Sequence, residues 1–296
     1  MLVKKLLLLS LIILSIFLGY SFGYPNFLEK KEKKVQPHKT PIVRIALVAD
    51  SENENDLLTK ALRQAQGMGI NFVIGLGDWT NTGTIAELEV AKKIFDQSGL
   101  KYFLTPGDHD LWDSRNRGLD ALVNYRQVFG EPSRVIHENG VQFVIIDNSD
   151  IYKGIAPKDW DLLEKVTKVT KESKESNVVK TSDSSDSADT SVTPKLTFVF
   201  AHKTPFHPES AHVMGEDSAE VAGQAKQFMD LMEQRRVDGF FSGDLHFFAR
   251  FNSPNGSVKI TTIGAASSER NFQGPRFGIL TVYNDYSWEV EDVEIR

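Results

Sequence analysis

The sequence predicts an α/β (α+β) protein, and three patterns carry that prediction. From Ile42 onward short apolar runs alternate with amphipathic stretches in β-α-β-α-β order, which points to a sheet with parallel strands covered by helices. After Arg236 strand follows strand, so a second, more antiparallel sheet is expected at the C-terminal end. An apolar content of 41% with 25% charged residues is that of a chain able to bury a core.

The first residues are of another kind. In MLVKKLLLLSLIILSIFLGYSFGY, residues 1–24, Lys4 and Lys5 precede an uncharged, mainly apolar run from Leu6 to Tyr24, which reads as an export signal or an N-terminal membrane anchor. Tyr20, Phe22 and Tyr24 crowd the small Ser21 and Gly23, a poor cleavage site, so an uncleaved anchor is the favoured form. The expected location is therefore outside the cell, at the extracellular face of the membrane or secreted. The chain has no Cys, which excludes a lipidated cysteine and a disulfide framework. Residues 25–41, rich in Lys and bounded by Pro25 and Pro41, read as a solvated spacer. One domain is expected over residues 42–296, with no internal repeat and no dividing linker.

Within that domain IVRIALVA, NFVIGLG and KYFLTPG read as buried strands, separated by helices around Leu57 to Met68 and Ile85 to Gln97. A helix near Leu119 to Phe129, the strand VQFVIIDNS and a helix from Pro157 to about Lys171 follow. Residues 171–195 are dominated by Ser, Thr, Asp and Lys, too poor in apolar groups to offset ordering entropy, and read as a disordered insertion. LTFVFAH is the next strand, Ser218 to Arg236 a long helix, and GFFSG, FFARF, VKITTIG, FGILTVY and YSWEVEDVEI are the closing strands.

Charge narrows the partners. Residues 1–41 hold seven Lys and two Glu of the chain's 34 basic and 40 acidic residues, which leaves 27 and 38 and a formal charge of −11 on the remainder. Such a surface argues against a nucleic-acid backbone as partner and suits a domain that holds cations.

Five of the apolar strands end on groups that can bind a metal. ALVADSE ends with Asp50 and Glu52, VIGLGD with Asp78, FLTPGDHD with Asp108, His109 and Asp110, FVFAH with His202, and FFSGDLH with Asp244 and His246. The carboxyl ends of parallel strands are where α/β sheets bind ligands. Each residue alone has a plainer reading, since Asp after a strand is often a helix cap or turn residue and a lone His can be a satisfied core imidazole. Jointly they are different, because several carboxylates buried together without a cation are strongly unfavourable.

The order and spacing of these groups resemble the calcineurin-like metallophosphoesterase superfamily. The matching stretches are DSE at 50–52, GD at 77–78, GDHD at 107–110, the lone His202 and GDLH at 243–246, and NYRQVFGEP, FVIIDNS and PRFGILTV also look like family segments, over roughly Arg44 to Tyr283. The resemblance implies a four-layer αββα sandwich, two mixed β-sheets packed face to face and flanked by helices. It implies hydrolysis of a phosphomonoester or phosphodiester through two divalent metal ions. One would be held by Asp50, Glu52, Asp78 and His246, the other by Asp78, Asp108, His202 and Asp244. His109 would act as proton donor to the leaving oxygen or as a transition-state stabiliser, with Asp110 orienting its ring.

Three positions depart from the family pattern: Glu52 and Asp244 stand where it has His, and Asp108 where it has Asn. All three can still coordinate a cation. The oxygen-rich set favours Mn²⁺, Mg²⁺, Fe²⁺ or Ca²⁺ over Zn²⁺, weakens the acidity of a bound water, and makes a diester monoanion more welcome than a monoester dianion. Arg115 and Arg117 are candidates for substrate binding, with two exposed loop arginines as the plainer alternative, and His207 and His212 for lining a substrate pocket or replacing the lost imidazole ligands. Trp79 and Trp112 sit beside motifs and read as core packing, with stacking on a base or ring as the alternative. The second functional reading is a catalytically impaired scaffold that binds cations or a partner, supported by the same three departures.

Overall fold

The computed structural model describes residues 39–165 and 194–296. The predicted anchor at 1–24, all of the spacer but Lys39 to Pro41, and residues 171–193 of the predicted insertion lie outside the described residues. Among the described residues no helix is long and apolar enough to cross a membrane.

Eleven strands form two sheets. The first has the order β11-β10-β1-β2-β3, from β1 (Pro41–Val48), β2 (Phe72–Leu76), β3 (Tyr102–Thr105), β10 (Arg276–Tyr283) and β11 (Trp288–Glu294). The second has the order β4-β5-β6-β7-β9-β8, from β4 (Arg134–Glu138), β5 (Val141–Ile145), β6 (Leu196–Phe200), β7 (Gly239–Ser242), β8 (Ala249–Asn252) and β9 (Lys259–Thr262). β1, β2 and β3 are mutually parallel, as are β5, β6, β7 and β9. The helices are α1 (Asn55–Gly67), α2 (Ile85–Gln97), the short α3 (Trp112–Asn116) behind a 3₁₀ turn at His109–Leu111, α4 (Val123–Phe129), α5 over residues 157–165, and α6 (Ala219–Arg235).

Alternation along the strands builds the layers. Val43, Ile45 and Leu47 of β1 face inward and pack with Phe143 and Ile145 of β5, Phe198 and Phe200 of β6, and Phe241 of β7, which is the core between the sheets. Ala46 and Val48, on the other face of β1, pack under Leu58, Leu62, Leu88 and Phe95 from α1 and α2. Val144 and Val199 of the second sheet pack under Val221, Phe228 and Met232 from α6. The result is the expected αββα sandwich. α2 is started by a capping box in which Thr84 and Glu87 satisfy each other's backbone N–H groups, and α6 by Ser218, whose hydroxyl accepts from Val221 N.

Several expectations are corrected. The C-terminal strands are not one antiparallel sheet: β7 and β9 run parallel inside the second sheet, while β10 and β11 return to the first as antiparallel partners of β1. The helix expected from Leu119 begins only at Val123, because Gly118 at φ +69° ends α3 and the Asp120 carboxylate accepts from Leu122 N in a turn. Strand β5 stops at Ile145, where Asp147 turns the chain by accepting from Ser149 N. Pro41 already belongs to β1, and buried Pro194 with Lys195, whose N–H bonds Gly140 O, closes the predicted insertion two residues early. β4 was not anticipated.

Candidate metal centre

All five predicted strand ends meet at one edge of the sandwich. Asp50 and Glu52 follow β1, Asp78 follows β2, Asp108 follows β3, His202 follows β6, and Asp244 and His246 follow β7. Backbone bonds lace the loops together: Asp50 N to Gly77 O at 2.9 Å, Glu52 N to Asp78 O at 3.0 Å, and Gly243 N to His202 O at 3.0 Å. Side chains join them too, with the Asp78 carboxylate accepting from His109 N at 3.0 Å and the Asp50 carboxylate from Asp244 N at 3.2 Å.

The loops are held in uncommon backbone. Ten non-glycine residues have positive φ among the described residues, and five are predicted ligands: Asp50, Glu52, Asp78, Asp244 and His246. Left-handed backbone costs a non-glycine residue roughly 1–3 kcal/mol and persists where surrounding structure imposes it. The glycines beside them are needed for space. A Cβ on Gly77, itself at φ +95°, would lie 2.5 Å from Gly107 N and 2.7 Å from His202 Nδ1, and one on Gly107 would collide with the carboxylate and backbone N of Asp78.

The electrostatics are those of a cation site. Ligand atoms of Asp50, Asp78 and His202 lie within 4.8 Å of one another, as do those of Glu52, Asp78 and His109, and those of Asp108, His202 and Asp244. His202 is fully buried; its Nδ1 faces Leu76 O at 2.7 Å, which fixes the proton there and turns the Nε2 lone pair toward Asp78 and Asp108 at 3.4 Å and Asp244 at 3.6 Å. A lone pair facing three carboxylates needs a proton or a metal ion between them. Nε2, Glu52 Oε2 and Asp244 Oδ2 are buried with no hydrogen-bond partner among the described residues, so the donor set fits a divalent cation. Without one, burial first and then the Asp78 and Asp244 charges push Asp50 well above the ordinary carboxylate range, against the pull of His202. Burial likewise raises Glu52. Burial would lower His202, but Asp78 and Asp108 overcome it and hold the imidazole well above its usual value.

Two cationic side chains reach this cluster unannounced by the sequence reading. Lys203 Nζ lies 2.6 Å from Asp244 Oδ1 and 3.0 Å from Asp108 Oδ1. Burial alone would raise both acids; for Asp108 the His202 and Lys203 bonds, and for Asp244 the Lys203 charge and His212, hold the carboxyls well below the usual range. Arg270, at φ +50°, donates to Glu52 Oε1 at 2.9 Å. His212 also arrives, with Nε2 3.4 Å from Asp244 Oδ1 and Nδ1 2.5 Å from Glu216.

The predicted catalytic pair is arranged differently from expectation. Asp110 does not orient His109: its buried carboxylate accepts from Gly107 N, Trp79 N, Thr80 N and Thr80 Oγ1, tying the β2 loop to the β3 loop. Burial and then Asp78 push that carboxyl up to about 7. His109 instead places Nδ1 3.1 Å from Asn81 O and stacks on Trp112 at 4.1 Å between ring centres. Trp79 is core, as expected, whereas Trp112 is part of the site surface.

The predicted substrate contacts divide. Arg115 bonds Asp108 O at 3.1 Å and lies over the Tyr152 ring, at the wall of a groove of about 630 Å³ that Trp112, Leu119 and Lys153 also line. Arg117 pairs with Asp113 on the surface of α3, and His207 accepts from Glu209 N and Ser210 N while its ring packs on Phe247 and Phe251. Neither makes a contact with the acidic cluster among the described residues.

Comparison with known proteins agrees with this geometry. The sequence profile described as Calcineurin-like phosphoesterase matches residues 43–248. The fold is similar to that of the purple acid phosphatase PPD1 from yellow lupin (Lupinus luteus) seeds, at a TM-score of 0.59 and 16% identity over 84% of this chain and 51% of that one. It is also similar to GAP50, the anchor in the inner membrane complex of Plasmodium, at 0.53 and 13% over 87% and 90%. The protein TT1561 of Thermus thermophilus is similar at 0.50 and 11%, over 86% and 100%. This chain thus spans about half the length of the lupin phosphatase. No curated protein matches by sequence.

Proposed function

This chain belongs to the calcineurin-like phosphoesterase family, metal-dependent hydrolases of phosphate esters, and from that premise we propose an exported or membrane-anchored phosphoesterase that prefers diester monoanions. The observation that supports an active centre is the convergence of Asp50, Glu52, Asp78, Asp108, His202, Asp244 and His246 around buried, unpartnered ligand atoms. In such a centre a divalent ion held by these residues would activate a water and offset charge on the phosphoryl group. Five carboxylates make the set hard and oxygen-rich, which favours Mn²⁺, Mg²⁺, Fe²⁺ or Ca²⁺ over Zn²⁺. The same negative charge disfavours a substrate dianion, hence the diester.

The chain's own groups do the rest. With Nδ1 held against the Asn81 carbonyl, Nε2 is the atom at which His109 gives a proton to the leaving oxygen. Trp112 limits the ring's rotation from one face. The leaving group lies in the groove beyond, where Trp112 and Tyr152 offer faces to an apolar or ring-shaped alcohol and Arg115 and Lys153 offer positive charge. Export through residues 1–24 would carry the domain out of the cell, and its net negative charge disfavours nucleic-acid backbones as partners.

The test is hydrolysis of an aryl phosphodiester and an aryl phosphomonoester with Mn²⁺, Mg²⁺, Ca²⁺ and Zn²⁺, comparing the parent with His109→Ala. Metal-dependent turnover, higher on the diester and at least about 100-fold lower in His109→Ala, is expected. No metal-dependent turnover in any combination would leave the scaffold reading, a cation-binding or partner-binding protein.

A further inference from the structure

Lys203 follows His202 directly, yet both side chains enter the same site. The strand has ended, the chain bends at both residues, and the usual alternation no longer sends neighbours to opposite faces. Asn148 fixes the bend: it accepts from Lys203 N at 2.9 Å through Oδ1 and donates to Lys203 O at 2.7 Å through Nδ2. Lys203 is 4% exposed and Asn148 1%, so the ammonium is built into the floor of the site and is not a surface group folded over it.

The oxygens it takes are one from each acid, with Asp244 Oδ2 left buried and without a hydrogen-bond partner. Of the three groups of potential ligands, Asp108, His202 and Asp244 form the one on the β3, β6 and β7 side. Nζ bonds Asp108 Oδ1 and Asp244 Oδ1, the same two oxygens that face His202 Nε2 at 3.4 and 3.6 Å. A divalent ion binds carboxylate oxygens at about 2.0–2.6 Å, so an ion using these two atoms would occupy the volume of the ammonium. To enter, it would have to strip a buried ammonium of both carboxylates, a strongly unfavourable step when the charge has no second partner. The other two groups, Asp50 with Asp78 and His202, and Glu52 with Asp78 and His109, share Asp78 and are not contacted by the lysine.

We infer that this centre takes one divalent ion, on the Asp50, Glu52 and Asp78 side, and that the Lys203 ammonium is the second cation, standing where the family resemblance places the other metal. The inference rests on the metal-centre reading but not on turnover. A fixed monovalent cation there offsets half of the charge of Asp108 and Asp244 without offering an open coordination position, so the water-activating role falls to the single ion. Lys203 remains free to meet a phosphoryl oxygen as a donor.

The experiment counts metal ions. The full chain is equilibrated with Mn²⁺ at known free concentration, the bound metal is measured per chain, and the electron paramagnetic resonance spectrum is recorded. The parent should saturate at about one Mn²⁺ with the resolved hyperfine lines of an isolated ion. Lys203→Met, of similar length and uncharged, should bind about one more and show the broadened spectrum of two coupled ions a few ångströms apart. Lys203→Arg, which keeps a cation, should stay at one. A parent that saturates at two coupled ions overturns the inference while leaving a phosphoesterase intact; a folded Lys203→Met that stays at one also overturns it. A parent that binds no metal overturns both readings. If Lys203→Met does not fold, the parent and Lys203→Arg counts still decide.

Discussion

Removing metal should make this protein lose stability as pH rises from 5 to 8, and Asp110 sets the scale. Its carboxyl, fully buried, is pushed from 3.8 up to about 7, so between those values the folded chain holds a proton that the unfolded chain has lost. The associated stability is fully present below pH 3.8 and is lost as pH climbs through 7. At about 1.36 kcal/mol per unit the whole excursion is on the order of 4 kcal/mol, of which about 2.5–3 falls between pH 5 and 8. Asp50 and Glu52, raised by burial, act with the same sign, and so does His202, raised by Asp78 and Asp108 against burial. Asp108 and Asp244 are lowered, so their contribution is lost only as pH falls below the ordinary carboxylate range, outside the window. His207, lowered by burial, opposes the trend from a partly exposed site. A bound divalent ion displaces the protons of Asp50, Glu52 and His202, so its stabilisation should grow with pH; at 100 times its dissociation constant it amounts to about 2.7 kcal/mol. Urea unfolding of the chelated and the Mn²⁺-loaded chain at pH 5, 6, 7 and 8 measures both slopes. A chelated protein whose stability is flat or rises over this range refutes the reasoning.

Two further outcomes follow from contacts in the site. Gly107→Ala should destabilise by about 1–3 kcal/mol and abolish tight metal binding, because its Cβ meets the backbone N and carboxylate of Asp78, whereas Gly67→Ala, with open space around it, should melt at or above the parent temperature. Calorimetric titration with Mn²⁺ and thermal melts separate the pair. Trp112→Ala should lower turnover of an aryl diester by roughly 2- to 10-fold, the worth of one aromatic contact, at unchanged metal content; an equal loss of metal would show that the stack on His109 is structural.

The candidate ligand positions were legible because they sit where local patterns are strongest. β2, β6 and β7 are buried on both faces and read as unbroken apolar runs, so the acid or imidazole after each run stands out. The pairing of β10 and β11 was not legible, since nothing in a strand's own residues says which sheet will accept it. β4 was missed because its residues are half-buried and mixed in character. Its signal was the turn: Asn139 and Gly140, both at positive φ, are the two-residue hairpin that an Asn-Gly pair announces. Lys203 and Arg270 gave no signal, because a lysine beside a strand-end histidine and an arginine in a Ser-rich loop are ordinary surface patterns. The orienting role that the resemblance implied for Asp110 had no local signal against it, but the N–H groups of residues 79, 80 and 107 take its oxygens.

The buried part of the site bears on the choice between a catalyst and an inert scaffold. A docking surface acts through atoms that a partner can reach, and Asp50 and His202 are 0% exposed. No partner gains from an unreachable carboxylate whose ionised form burial disfavours, or from an imidazole lone pair aimed at three acids. Five non-glycine ligand positions in left-handed backbone add strain of the order of 5–15 kcal/mol, comparable to the net stability of a whole domain. A chain whose edge served only as a contact surface would be more stable with Asn or Gly at Asp50 and Asp78 and an apolar residue at His202. What turns these liabilities into a stable arrangement is positive charge among the carboxylates. Lys203 supplies it for Asp108 and Asp244, and Arg270 meets one oxygen of Glu52. Among the described residues Asp50, Asp78 and the second Glu52 oxygen pair with no lysine or arginine, and there the ligand atoms for a metal ion stand together.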